Sequence, residues 1–202
     1  MAFEEAIAFL PEDAVLGPYV ERLPEPDFER TENPLRSLVR AIVYQQLSGK
    51  AAGTIYGRMA TLIGADEQME PSHLLAVSAE DLRGAGLSQS KAAYLHNIAR
   101  HFEEHQLTLD HMDALPDEVL RAELVGIKGV GQWTVDMFMM FALVRPDIWP
   151  AGDLGVQKGA QIAHGLTSLP KPKEMPALAE SWRPYRSAAA WYMWRIVEEP
   201  GT

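Results

Sequence analysis

Apolar residues recur at helical spacing along almost the whole chain. Leu35, Leu38, Val39, Ile42, Val43 and Leu47 fall three and four apart behind Asn33-Pro34, a cap residue followed by proline at the first helical position. Ser48-Gly49 interrupts, and Ala52, Ile55, Met59 and Leu62 start a second stripe that closes at Gly64. Ser78-Ala79-Glu80-Asp81 reads as a capping box with stops at Gly84 and Gly86, and Ser88 opens a helix carrying Leu95, Ile98, Ala99 and Phe102. Further helices are expected from Asp117 to Leu124 and from Gln132 to Val144. No segment alternates with the period of two that a half-buried strand needs, and no internal repeat is present. The expected fold class is all-α.

The stretch LVGIKGVGQWTVD, Leu124 to Asp136, adds chemistry to this pattern. One helix is expected to stop at Gly126, the chain turns through Lys128, Gly129, Val130 and Gly131, and an apolar helix restarts at Gln132. Main-chain N–H groups at such a restart have no partner within the helix, and the helix dipole adds positive charge there. The two glycines leave room for a phosphate to reach the backbone, so the turn reads as an anion site that needs no basic side chain. Downstream, Pro146, Pro150, Gly152 and Gly155 break the chain around Asp153 in WPAGDLGVQKG, and prolines recur at 170, 172 and 176.

A helix, a GVG-type hairpin, a second helix and then an aspartate after a Pro-containing loop resemble the helix-hairpin-helix DNA glycosylase superfamily. Trp133 directly after GVGQ, the RAIVYQQLS segment (Arg40 to Ser48) and WRPYRSAAAWYMW (Trp182 to Trp194) resemble its 3-methyladenine DNA glycosylase II branch. The resemblance runs from about Asn33 to Trp194. It implies two helical lobes with the active-site cleft between them. By this analogy lobe A spans about 34–145 and contains the hairpin at 125–131, and lobe B joins about 1–33 to 146–202.

Asp153 has two readings. By its spacing to Leu154, Val156 and Lys158 it is a helix N-cap. By the resemblance it is the catalytic carboxylate that stabilises oxocarbenium character on the sugar and orients or deprotonates a water. The two roles are compatible. In bifunctional relatives a nucleophilic lysine stands where this chain has Trp133, and an indole cannot form a Schiff base. The resemblance therefore implies a monofunctional enzyme whose base pocket is lined by Trp133, Trp194 and Met137. Trp191 and Tyr192 cannot all face one cleft with Trp194, so Trp194 is selected. An alkylated purine is cationic, and a tryptophan face attracts it by cation–π interaction.

The same resemblance places Lys128, Gly129, Val130, Gly131 and Thr134 against the DNA backbone. It puts Gln45 and Gln46 at the DNA-facing end of a helix, where a wedge fills the gap left by a flipped base. Which glutamine enters the duplex, or whether Leu47 does, is open. A structural monovalent ion is implied at the main-chain carbonyls of Val125, Lys128 and Val130. No catalytic metal and no cofactor are expected, and the six histidines show no HExxH or other metal spacing. His101 and His105, amid Glu103 and Glu104, read as a solvated face.

Composition narrows the rest. With 47 % hydrophobic and 23 % charged residues in 202, the chain is an ordinary globular protein with no run near the ~18 apolar residues of a membrane span. Zero cysteines exclude disulfides and any Cys-ligated zinc or iron–sulfur cluster, unlike endonuclease III and adenine mismatch glycosylases. Acids near the start, in MAFEEAIAFLPED, argue against a secretory signal, so a cytoplasmic location is expected. Compared with the longer bacterial enzymes of this branch, the 202 residues leave no room for an extra amino-terminal β-rich domain, and by the resemblance the short form is expected. The net charge of −10 opposes a nucleic-acid role. The basic residues Lys128, Arg145, Lys158, Lys171, Lys173, Arg183, Arg186 and Arg195 gather near or after the hairpin, however, and modest affinity for undamaged DNA is expected. The reading is a monomeric glycosylase of base-excision repair acting on double-stranded DNA that contains alkylated purines such as 3-methyladenine and 7-methylguanine. The rival readings are a non-catalytic helix-hairpin-helix DNA-binding module and a helical protein-interaction domain.

Overall fold

Short polar residues set the helix starts in the computed structural model, which describes residues 2–199. The chain begins with α1 (Ala2–Phe9) and α2 (Gly17–Val20), then enters a helical series made of α3 (Pro34–Tyr44), α4 (Gly49–Ile63), α5 (Pro71–Leu75), α6 (Ala79–Gly84), α7 (Gln89–Glu104), α8 (Leu109–Ala114), α9 (Asp117–Val125) and α10 (Gln132–Met137). It closes with α11 (Leu154–Ala163), α12 (Met175–Leu178) and α13 (Arg186–Glu198). Asn33, Ser48, Ser78 and Ser88 each cap the helix they precede, with the Asn33 side chain accepting the Arg36 N–H at 2.9 Å. Gly64, at φ +67°, ends α4 in the left-handed conformation that favours glycine. The described residues contain no strand, and none of their helices is long and apolar enough to cross a membrane. The fold is all-α.

The chain forms two compact units: Arg30–Phe138, and the residues up to Glu29 together with those from Met139 onward. In the first, α7 buries Ala92, Leu95, Ile98, Ala99 and Phe102, and α3, α5 and α6 pack against it. Asp66 ties α3 to α4 by accepting from Arg36 Nε and from the Tyr56 hydroxyl, both at 2.8 Å. Burial and then the Asp66 carboxylate push the Tyr56 phenol up to about 12.

The second unit is built on α11 against α13. Their approach is close because α11 carries glycines on the contact face. A Cβ at Gly159 would sit 2.3 Å from the Met193 carbonyl oxygen, so any side chain there would force the helices apart. Ala188, Ala189, Ala190, Tyr192, Met193 and Ile196 of α13 are all fully buried. Asp147 fixes the approach to α13 by accepting from Arg186 Nε at 2.6 Å and Nη2 at 2.9 Å.

Two features differ from the sequence expectation. The helix expected from Gln132 to Val144 is α-helical only to Met137, and Phe138–Ala142 form a π-helical turn. The Arg145 N–H then reaches back to the Met139 carbonyl at 2.9 Å, and Val144 takes φ +57°, a costly value for a β-branched residue. The second concerns the boundaries, expected at about 34 and about 146 and falling after Glu29 and after Phe138. The later boundary lies inside an unbroken apolar run, FMMFA, where no proline or glycine marks it.

Candidate active site and hairpin

Between α9 and α10 the chain makes a turn closed by the Val130 N–H donating to the Ile127 carbonyl at 3.0 Å. Gly129 occupies the third position at φ +107°, where a β-turn of this kind needs glycine. A Cβ at Gly129 would also lie 2.2 Å from the Tyr94 ring, so glycine is required twice over. Tyr94 and Asn97 on α7 brace the turn, with Asn97 Nδ2 donating to the Lys128 carbonyl at 3.0 Å. Gly131 is the N-cap of α10, supplies no side-chain cap, and a Cβ there would meet open space. The cap residue thus offers no side chain to the first N–H groups of α10. Lys128 is exposed, and Val130 is buried at its side chain.

Side chains behind the turn hold α10 in place. Asp136 is buried and accepts from Arg121 Nε at 3.1 Å and from Gln132 Nε2 at 3.0 Å, which joins α9 to α10. Burial raises the Asp136 carboxyl above its ordinary value, against the opposing pull of Arg121 and Gln132. Thr134 is buried and accepts from Gln45 Nε2 at 3.0 Å. Its side chain is therefore committed inside the unit, and only its main chain is left for the backbone contact expected of it. Gln45 is likewise committed, which leaves Gln46, at φ +57°, and Leu47, 41 % exposed, as the outward members of the expected wedge segment. Lys91 holds this segment from α7 by donating to the Val43 and Gln45 carbonyls, each at 2.8 Å. Burial lowers its ammonium from the ordinary lysine value. Trp133 is 51 % exposed on the first turn of α10, and Met137 is half-buried at its end.

In the other unit Asp153 is the N-cap of α11. One carboxylate oxygen, Oδ1, accepts the Val156 N–H at 2.9 Å and the Trp194 indole N–H at 2.8 Å. Gly155 makes this possible, since a Cβ there would lie 2.5 Å from Trp194 Cδ1 and push the indole off the carboxylate. The preceding loop is fastened by Gln157 Nε2 donating to the Ala151 carbonyl at 2.9 Å and Trp149 Nε1 donating to the Met175 carbonyl at 3.1 Å. Trp194 stacks on Phe141 with ring centroids 5.8 Å apart, and Phe141 meets Phe28 edge-on at 5.0 Å. An aromatic row thus ends at a carboxylate held by two N–H donors.

A family model described as "HhH-GPD superfamily base excision DNA repair protein" matches residues 39–184. The chain belongs to this family. It is similar to "DNA-3-methyladenine glycosylase 1" of Schizosaccharomyces pombe, at 34 % identity over 85 % of this chain and 75 % of that one. Among solved structures it resembles a DNA-3-methyladenine glycosidase from Bacillus halodurans, with a TM-score of 0.87 and 36 % identity covering 98 % of this chain and 91 % of the other. It also resembles a 3-methyladenine DNA glycosylase from S. pombe in complex with abasic DNA, with a TM-score of 0.81 and 30 % identity covering 97 % and 98 % of the two chains.

Within this HhH-GPD chain, sequence reasoning named Asp153 and Trp194, which the structure brings together, but missed the rest of their surroundings. Phe28 lies in an irregular stretch with no periodic signal, and Phe141 reads as one more core residue of an apolar helix, although it is 39 % exposed. Lys91 carried a usable signal. A base in the first turn of a helix opposes the dipole, so a lysine there points to a specific partner. Tyr94 and Asn97 face the hairpin from α7, and Arg121 joins α9 to α10 behind it; none left a mark in the local sequence.

Proposed function

We propose that this chain is a monofunctional DNA glycosylase of base-excision repair that releases N-alkylated purines, of the 3-methyladenine and 7-methylguanine type, from double-stranded DNA. The observation that carries the reading is the Asp153 carboxylate, held by Val156 N–H and Trp194 Nε1–H at the end of the Phe28–Phe141–Trp194 row. Membership of a base-excision repair family and relatives named for 3-methyladenine support it.

The chemistry follows from charge. An N-alkylated purine is already a cationic leaving group, so the glycosidic bond breaks without strong acid catalysis. Positive charge then grows on the sugar as the base departs. A carboxylate held by two fixed donors needs no reorganisation to stabilise that charge and to orient a water towards C1′. Base flipping out of the stack costs a few kcal/mol, and Gln46 and Leu47 are the side chains offered to the gap. The main-chain N–H groups after Gly131 take phosphate oxygens independently of sequence. Trp133 supplies an exposed π face and no amine, so the abasic strand is left unbroken.

The monovalent ion implied by the resemblance fits the donor set of hard carbonyl oxygens. The Lys128 carbonyl already accepts Asn97 Nδ2, but its second lone pair remains for an ion. Val125, Lys128 and Val130 would hold it, and its charge would favour a phosphate near the turn.

The test is single-turnover incubation with methylated duplex DNA. Free 3-methyladenine and 7-methylguanine are expected, with strands that break only on later alkali or heat. Release of no base would leave a DNA-binding module, and a borohydride-trapped adduct would overturn the monofunctional assignment and direct attention to Lys128 or Lys158.

A further inference from the structure

The far end of α7 carries two histidines one turn apart. His101 and His105 stack with ring centroids 4.1 Å apart and an interplanar angle of 25°, which sets the two imidazoles side by side on one face of the helix end. Glu123 of α9 faces them from the neighbouring helix. Its Oε1 lies 3.5 Å from His101 Nε2 and 3.9 Å from His105 Nδ1. Its other oxygen lies 3.9 Å from Nε2 of His111, on α8.

These separations carry information. An N–H donating to a carboxylate settles near 2.8 Å, and none of the three imidazoles closes to that distance on Glu123. His101 Nε2 is buried and makes no hydrogen bond, an arrangement that costs free energy unless something fills it. The ligand atoms of His101, His105 and Glu123 all lie within 4.8 Å of one another. Around a tetrahedral zinc with bonds of about 2.0 Å, ligand atoms are about 3.3 Å apart, so small rotamer shifts would bring these groups onto one ion.

We propose that His101, His105 and Glu123, with His111 in reach as a fourth ligand, form a binding site for a single divalent transition-metal ion of the zinc class. Two or three imidazoles and one carboxylate suit zinc, cobalt or nickel and suit calcium or magnesium poorly. Ligation requires neutral imidazole. Burial, and next the neighbouring His105, lower the His101 pKa from its ordinary value and favour that form. The ion would pin α7 to α9. These helices also support the hairpin, since α7 carries Tyr94 and Asn97 and α9 runs directly into the turn. The site is thus a stabilising clamp behind the hairpin, and it rests on no step of the glycosylase chemistry.

The sequence offered only half of it. His101 and His105 are spaced like ligands, but Glu103 and Glu104 beside them suggested a solvated face, and the completing groups arrive from two later helices.

The decisive experiment uses the full chain without a histidine tag, stripped by chelator and titrated with zinc chloride by calorimetry, and with cobalt(II) chloride by absorption. One ion per chain is expected, together with the intense visible bands of four-coordinate cobalt and a melting temperature that rises with bound zinc. His105→Ala, at an exposed position, and Glu123→Gln should each weaken binding by on the order of tenfold or more. His73→Ala should not. Absence of saturable binding, or binding that survives both His105→Ala and Glu123→Gln undiminished, overturns the proposal.

Discussion

Two helix starts in this molecule both open from an extended cap residue, at φ −88° and ψ 161° for Gly131 and φ −77° and ψ 126° for Asp153, but differ in what the cap offers. The start of α10 is capped by Gly131, which brings no side chain to its first N–H groups. The start of α11 is capped by Asp153, whose Oδ1 takes the Val156 N–H. Both starts attract an anion for the same reason. At the first the anion is left to the ligand, and at the second the protein supplies its own. The difference teaches that the proposed catalytic carboxylate and the proposed phosphate cradle are variants of one local structure, set by whether the cap residue carries a carboxylate.

The largest expected effect comes from removing the charge at α11 while leaving its cap. Asn caps a helix about as well as Asp, so Asp153→Asn should fold normally. Excision from methylated DNA should fall by at least about 100-fold, because the interaction lost is one made in the transition state. Affinity for the duplex should be unchanged or tighter, since a negative charge near phosphates has gone. Wild-type excision rates in this variant would remove Asp153 from the mechanism.

The reverse exchange at α10 tests the other half. Gly131→Asp would fill the open start with a carboxylate, in imitation of α11. The variant should be more stable by roughly a few tenths of a kcal/mol through capping, yet bind every duplex sequence about tenfold or more weakly, because phosphate contacts carry no sequence information. Equal affinity in a filter-binding titration would show that the backbone is gripped elsewhere.

How much of this was legible in the sequence depended on whether the cause was local. Caps at Asn33, Ser48, Ser78 and Ser88 act on N–H groups within three residues, so the helix starts could be read directly. Gly129 could be read as a turn glycine, but the Tyr94 ring that fills the place of its Cβ could not. The π-helical turn at Phe138–Ala142 left no trace, since FMMFA serves an α-helix as well. Spacing alone favoured a plain N-cap at Asp153, and only the family resemblance pointed to a catalytic carboxylate. The structure shows the cap, and adds Trp194 as a second donor that spacing could not supply.

A smaller effect separates the aromatic and hydrogen-bonding roles of Trp194. Trp194→Phe keeps a ring to stack on Phe141 and deletes the indole N–H that Asp153 Oδ1 accepts at 2.8 Å. A hydrogen bond to a charged group contributes about 1.5–3 kcal/mol, and part of that should be retained through Val156, so excision should slow by roughly tenfold with KM little changed. A rise in KM at constant kcat would instead assign Trp194 to substrate binding alone.

The smallest effect lies in stability against pH, where each unit holds one histidine that resists protonation. His101 stands on α7, which braces the hairpin, and His164 caps the far end of α11. Burial lowers the pKa of both from the ordinary value near 6.5, and for His101 the neighbouring His105 adds to the shift. In the unfolded chain each takes up its proton near that ordinary value, whereas in the folded chain uptake waits for a lower pH. Their contribution to stability is therefore fully present above about pH 6.5 and is lost as pH falls from there through the lowered folded values. In chelator-treated protein, the melting temperature should drop by roughly a few degrees between neutral pH and about pH 5, and His101→Gln and His164→Gln should each remove part of that dependence. If the two units unfold in separate steps, calorimetry should assign the His101 share to the unit that carries the open helix start and the His164 share to the unit that carries Asp153. A pH slope that survives in the double variant would mean that other groups set the acid limit of both.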